Sequence, residues 1–219
     1  MKDAESLRRI YNERFTGPAS QWTSVDIKKC RRLTSEIIKW TGLTGRKGLS
    51  VLDVGCALGY YTKSFHLEGF EASGLDYSEV AIEKARILHP ECSFIHADGF
   101  NPPADRKYDL IFCRGFSGAN THDLEFVAGW TQKYIRLLKD GGKFIFSYST
   151  DFTGTEREGE TANWSKPEIE AFRTKIGSCQ SQLKFFYRYG ILSLLLESLA
   201  MLLRKDKAKR YFYIIFQKE

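Results

Sequence analysis

Three aspartates and one glycine-punctuated turn are the residues of this 219-residue chain whose types and spacing could do chemistry together. Asp53 closes an apolar run, Leu49–Val54, and leads straight into Gly55-Cys56-Ala57-Leu58-Gly59. Asp76 closes the next apolar run and Asp98 the one after it. A carboxylate roughly 20 residues past a glycine turn is placed to accept from both hydroxyls of a ribose. Glycine at 55 and 59 lets the main chain approach a ligand with no β-carbon in the way. A pyrophosphate-bearing dinucleotide would want glycine at 55, 57 and 60. Those positions hold Gly55, Ala57 and Tyr60, and the bulky third residue argues against it.

These residues need a scaffold, and the pattern around them supplies one. Short apolar runs at 49–54, 71–77, 93–98, 108–113 and 143–149 read as strands. Amphipathic segments at 60–68, 78–88 and 123–139 read as helices stopped by Gly69, Pro90 and Gly141-Gly142. YDLIFC at 108–113 is almost continuously apolar, as a strand covered on both faces should be. Strand alternating with helix means parallel pairs and right-handed crossovers. A helix at 166–176, a strand near 183–189, an apolar helix at 191–203 and a last strand at 211–216 complete the chain. Before residue 45 the reading is two helices, 3–15 and one carrying Ile27, Cys30, Leu33, Ile37 and Trp40 on one face. The fold expected is α/β, a doubly wound and mostly parallel sheet of about seven strands, the last antiparallel, with helices on both faces. Residues 1–45 are an N-terminal helical extension or lid, and 46–219 a Rossmann-like domain with a helical insertion around 190–208.

The run Val51 to Thr62, VLDVGCALGYYT, resembles motif I of the class I S-adenosylmethionine-dependent methyltransferases, filled here as Asp53, Gly55, Ala57 and Gly59. The resemblance continues through GLDYSEVAIEKAR (74–86), HADGF (96–100), YDLIFCRG (108–115) and LLKDGGKFIF (137–146), five motifs in order. It implies that Gly55, Cys56, Ala57 and Gly59 line the methionine part of the cofactor, with Asp53 behind them orienting its amino group. Asp76 would hold the ribose hydroxyls and Tyr77 would lie against the adenine. Asp98 would accept from the adenine amino group, with Gly99 and Phe100 beside the ring. Arg114 and Gly115 would border the reacting sulfonium. Apart from the resemblance, the aromatics Tyr11, Phe15 and Trp22 of the N-terminal extension read either as a lid folded over the cofactor or as packing against the sheet edge. Ala57 departs from the glycine pattern, and its methyl is tolerated where φ is negative.

A sulfonium methyl is already activated, so a general base is needed only where the acceptor atom is protonated. His122, after the fourth strand, and Asp151, after the fifth, are the candidates; an imidazole suits proton removal near neutral pH. Arg114-Gly115-Phe116-Ser117 stands where the Asn/Asp-Pro-Pro-Tyr motif of amino-methylating relatives would fall. Carboxylates for a catechol-type metal site are lacking, so no metal is expected.

The five cysteines form no CxxC pair, and the stretch 191–203 is too short for a bilayer, which takes roughly 20 residues. The N-terminus has no apolar signal core, and a reduced, cytoplasmic protein is expected. The net charge of +6 is concentrated at 28–32 and 204–210. The resulting expectation is a methyltransferase acting on an oxygen or nitrogen of a small molecule, a glycosyl or natural-product intermediate being the narrower expectation. An RNA methyltransferase and a non-catalytic cofactor-binding subunit stay open, nucleic acid being the less favoured partner. The apolar helix leaves room for a homodimer.

Overall fold

The computed structural model describes residues 9, 12, 13, 15, 16, 26–152, 162–177, 179–185 and 210–219, with the side chains of 151, 152 and 210 outside that description. Tyr11, Trp22 and the apolar helix expected at 191–203 therefore lie outside the described residues. The chain runs α1 (Ile27–Trp40), β1 (Ser50–Val54), α2 (Tyr60–Leu67), β2 (Glu71–Asp76), α3 (Glu79–Leu88), β3 (Ser93–His96) and β4 (Tyr108–Arg114). It continues with α4 (Leu124–Arg136), β5 (Leu138–Phe152), β6 (Trp164–Ser165), α5 (Lys166–Ile176), β7 (Gln180–Phe185) and β8 (Arg210–Gln217).

The strands form one sheet in the order β3-β2-β1-β4-β5-β8-β7, with the two-residue β6 paired to β5. Pairs from β3 through β5 are parallel, and β8 is antiparallel to both β5 and β7. The chain winds outward from β1 to β3, then returns to β1's other side as β4. That reversal opens a crevice beyond the carboxyl ends of β1 and β4, where open α/β sheets bind ligands.

Alternation along the strands feeds two cores. Ile111, Cys113, Phe144, Phe146, Phe212 and Phe216 face α4 and α5, meeting Trp130, Tyr134, Trp164 and Phe172. Leu110, Phe112, Ile145, Tyr213 and Ile215 face the other way, against Leu33, Ile37 and Ile38 of α1 and Phe65 of α2. The helix expected around Ile27–Trp40 is thus bound into the sheet's own core. At the opposite edge, Asp109 Oδ2 accepts from Ser50 N, Ser50 Oγ and Lys139 Nζ at 2.7–2.8 Å, tying β1 to β4 and β5.

Local signals placed most ends correctly. Ser78 caps α3, and Ser165 with Glu168 forms a reciprocal capping box on α5, two orphan amides satisfied at once. The reading of a helix to residue 139 and a strand from 143 needs correction: α4 stops at Arg136 and β5 starts at Leu138. Leu138 already pairs with Tyr108, and the register then slips so that Leu110 meets Lys143. The intervening Gly141, at φ 73, absorbs the extra residues as an irregularity rather than ending a helix. The strand expected at 183–189 begins at Gln180. Among the described residues no helix is long and apolar enough to cross a membrane.

Candidate active site

The floor of the crevice is the turn after β1. Gly55 N and Cys56 N donate to Leu75 O at 2.8 and 3.0 Å, and Gly59 N donates to Cys56 O at 2.8 Å. Asp76, at the end of β2, clamps this turn: Oδ2 accepts from Ala57 N and Oδ1 from Ser78 N, both at 2.9 Å. Burial raises the Asp76 carboxyl above its ordinary range. Each oxygen keeps a lone pair for a ligand hydroxyl.

Asp53 lies under the turn, 3% exposed, and accepts from Thr62 Oγ1 at 2.7 Å. Burial pushes its carboxyl up to about 7, although the Thr62 bonds hold it down. The carboxyl is buried with no cation beside it among the described residues. Asp98 closes the turn after β3, its Oδ1 accepting from Phe100 N at 2.9 Å and its Oδ2 from Asn101 Nδ2 at 2.7 Å. The carboxylates of 53, 76 and 98 thus end three neighbouring parallel strands.

Other expected residues are distributed differently. Ala57 has φ 48, so the condition for its methyl is not met; the Asp76 bond holds it in a left-handed conformation costing about 1–2 kcal/mol. Cys56 brings no side chain to the crevice, being buried with Ile82, Ala85 and Phe94. Gly59 is packed closely: a β-carbon there would meet Phe94 at 2.6 Å. At Gly55, with φ 71, a β-carbon would meet the Phe116 ring at 3.4 Å. Tyr77 follows Asp76, its carbonyl 3.1 Å from His96 Nε2. Gly99 accepts through its carbonyl from Tyr134 Oη at 2.7 Å.

Phe116 is the residue missed by the sequence reading. Its ring bridges Gly55 and Gly99, where a β-carbon would come within 2.7 Å of it, and it lies 5.3 Å from the Phe100 ring and 5.1 Å from Trp130. An apolar residue just past β4, ahead of small Gly118, was the available signal. Phe15 is buried against Leu58 and Ala81, beside Ala57 and Tyr60. Lys84 Nζ donates to its carbonyl, and Ser78 Oγ donates to Asn12 Oδ1 at 2.8 Å. Phe15 thus lies against the glycine turn and Asn12 against the cap of α3.

His122 stands beyond β4, just before Asp123, which caps α4. Its Nδ1 is 2.5 Å from Glu168 Oε1. Glu168 Oε2 in turn accepts from Ser165 N at 2.7 Å and Ser165 Oγ at 2.5 Å. Burial would raise the Glu168 carboxyl, but the Ser165 and His122 contacts bring it below its ordinary range. Asn120 Oδ1 accepts from Ala162 N at 2.7 Å and Trp164 Nε1 donates to Ala119 O at 3.1 Å, so the loop after β4 is tied to the residues that lead into α5. Asp151 lies on β5, its side chain outside the described set. Among the described residues no group of three or more His, Cys, Asp or Glu side chains is placed to hold a metal ion.

Arg114 ends β4 and turns toward the α1–α2 face. Its guanidinium lies 3.9 Å from the Tyr211 ring centre and 5.6 Å from that of Tyr61, and Nε donates to Tyr213 Oη at 3.3 Å.

A buried carboxyl at Asp53 with no cation beside it among the described residues and a strand-end acid at Asp76 together fit a ligand bringing a cationic amino group and a ribose. Comparison with known proteins agrees. Residues 46–214 match the family described as Methyltransferase domain. The chain is 30% identical over 162 residues to the ubiquinone biosynthesis O-methyltransferase of Erwinia tasmaniensis, covering 66% of this chain and 62% of that one. Across the curated relatives it matches, it spans between 43% and 62% of their length. Its fold superposes on the plantazolicin methyltransferase in complex with SAH, at 21% identity, 98% and 96% coverage and TM-score 0.64. It also superposes on magnesium protoporphyrin IX methyltransferase from Synechocystis with bound SAH, at 14% identity, 99% and 100% coverage and TM-score 0.66. The chain belongs to the class I S-adenosylmethionine-dependent methyltransferases, and S-adenosylmethionine is its cofactor.

Proposed function

We propose that the protein methylates a hydroxyl oxygen of a small-molecule acceptor, with His122 as the general base. The observation that carries this reading is the His122–Glu168 contact of 2.5 Å, with Glu168 itself fixed by Ser165. A base whose second ring nitrogen is oriented by an anchored carboxylate is the arrangement proton abstraction requires. A neutral amine can react through its free lone pair, whereas a hydroxyl must lose its proton, so a base is of use to an oxygen acceptor in every case. The relative named an O-methyltransferase points the same way.

When bound, S-adenosylmethionine supplies an electrophilic methyl on a sulfonium. Asp53 would take the amino group, Asp76 the ribose hydroxyls and Asp98 the adenine edge, with Phe116 and Phe100 flanking the base. Glu168 would orient the His122 ring as it takes the acceptor's proton and would stabilise the imidazolium that results.

An acceptor screen that reads released S-adenosylhomocysteine tests the reading. On the acceptor found, His122→Gln should lower kcat by about 100-fold, the usual size of general-base catalysis, with cofactor affinity unchanged. Glu168→Gln keeps a residue able to form the capping box, so its expected loss is smaller and appears with an unaltered Tm. Full activity of His122→Gln, or methyl transfer only to amines, would refute the assignment.

A further inference from the structure

We propose that Arg114, caged by Tyr61, Tyr211 and Tyr213, is the receptor for a carboxylate carried by the methyl acceptor. This rests on the methyltransferase reading and adds to it the charge class of the substrate.

Arg114 is partly buried at the carboxyl end of β4. A guanidinium has five donors in a planar fork and is always charged. Only Nε is used, in a 3.3 Å bond to Tyr213 Oη; the two terminal nitrogens donate to nothing among the described residues. No carboxylate pairs with it there either. Tyr211 stacks at 3.9 Å and Tyr61 lies at 5.6 Å, and ring faces stabilise the cation without satisfying its N–H groups. The neighbouring thiol, Cys30, is pushed by burial up to about 11 and stays neutral, so it is no counter-ion.

The same register row contains a second unsatisfied group. Arg114 pairs with Ser147 and Ser147 with Tyr213, so the three side chains share one sheet face. Ser147 is 1% exposed, and its hydroxyl has no hydrogen-bond partner. A cation and a buried hydroxyl side by side, both short of acceptors, ask for an oxyanion.

Position separates this group from the donor's own carboxylate. The cofactor residues Asp53, Asp76 and Asp98 end β1, β2 and β3, whereas Arg114 sits among β4, β5 and β8 on the far side of the strand reversal. An unpaired cation bordering a sulfonium would also repel it; an acceptor that brings its own negative charge removes that repulsion.

The test uses sodium benzoate as probe on the S-adenosylhomocysteine-saturated protein, with sodium chloride at equal ionic strength as control. Benzoate should raise Tm saturably and chloride should not. Arg114→Gln should weaken benzoate by about 10-fold or more, the worth of a charged bidentate contact. Arg114→Lys keeps the charge but loses the fork and should retain part of the response, which covers misfolding of the neutral variant. No benzoate-specific rise in the unaltered protein, or an equal rise in Arg114→Gln, overturns the proposal. So does a tenfold loss of S-adenosylhomocysteine affinity in Arg114→Gln, which would assign the fork to the donor. Failure of the unaltered protein to bind S-adenosylhomocysteine would instead strike the methyltransferase reading, and the benzoate titration can then be run on the unliganded protein.

Discussion

Asp53 shows how a single buried group can record a ligand. An aspartate held up to about 7 by burial costs the folded state free energy whenever it ionises. The folded value lies above the unfolded one, so the protonated form is favoured on folding. Stability is therefore lost as pH rises from about 4 to about 7 and stays low above that. Asp53→Asn should make the unliganded protein more stable at pH 8, by up to a few kcal/mol, with a gain that shrinks toward pH 4. The same variant should bind S-adenosylhomocysteine more weakly, because the donor's ammonium has lost its partner. Thermal melts across that pH range with and without S-adenosylhomocysteine check both; an Asn variant less stable at pH 8 would contradict the account. At this scale the sequence exposed the three strand-end aspartates and Gly55, since strand ends are marked by local pattern. It did not expose Glu168 beside His122, because 46 residues separate them and only the docking of α5 on α4 joins them. Nor did it expose the strain at Ala57, which follows from a φ that no residue type announces.

Elements place these residues, and most were legible from punctuation. Ser78, Pro90 and Gly69 each act within a few residues of their own position, so a local reading finds them. The start of β5 escaped because Leu137 and Leu138 continue an apolar helical spacing, while the pairing of Leu138 with Tyr108 is a long-range event. The two-residue β6 has no local signal at all. The turn between β1 and α2 carries the sharpest constraint of this kind. Gly59 combines φ 77 with Phe94 atoms 2.6 Å from where a β-carbon would stand, and His89 3.2 Å away. Gly59→Ala should therefore cost about 2–4 kcal/mol through strain and overpacking together, measured by denaturant unfolding. A loss below about 0.5 kcal/mol would mean that α2 and β3 do not meet this closely.

For the whole molecule, sheet order does what no single motif can. The winding outward through β3 and the return at β4 bring Asp53, Asp76, Asp98, Arg114 and Phe116 to one edge from four separate stretches of chain. Alternating strands and helices predicted that edge, and the antiparallel β8 extends it beyond the cofactor half to the tyrosines around Arg114. The central claim is that this edge holds a methyl donor, and the most direct measurement is a crystal structure of the protein with S-adenosylhomocysteine. The account predicts ribose hydroxyls on Asp76, adenine between Asp98 and the Phe100–Phe116 pair, and the amino group directed at Asp53. An empty crevice, or a nucleoside bound elsewhere on the sheet, would contradict it.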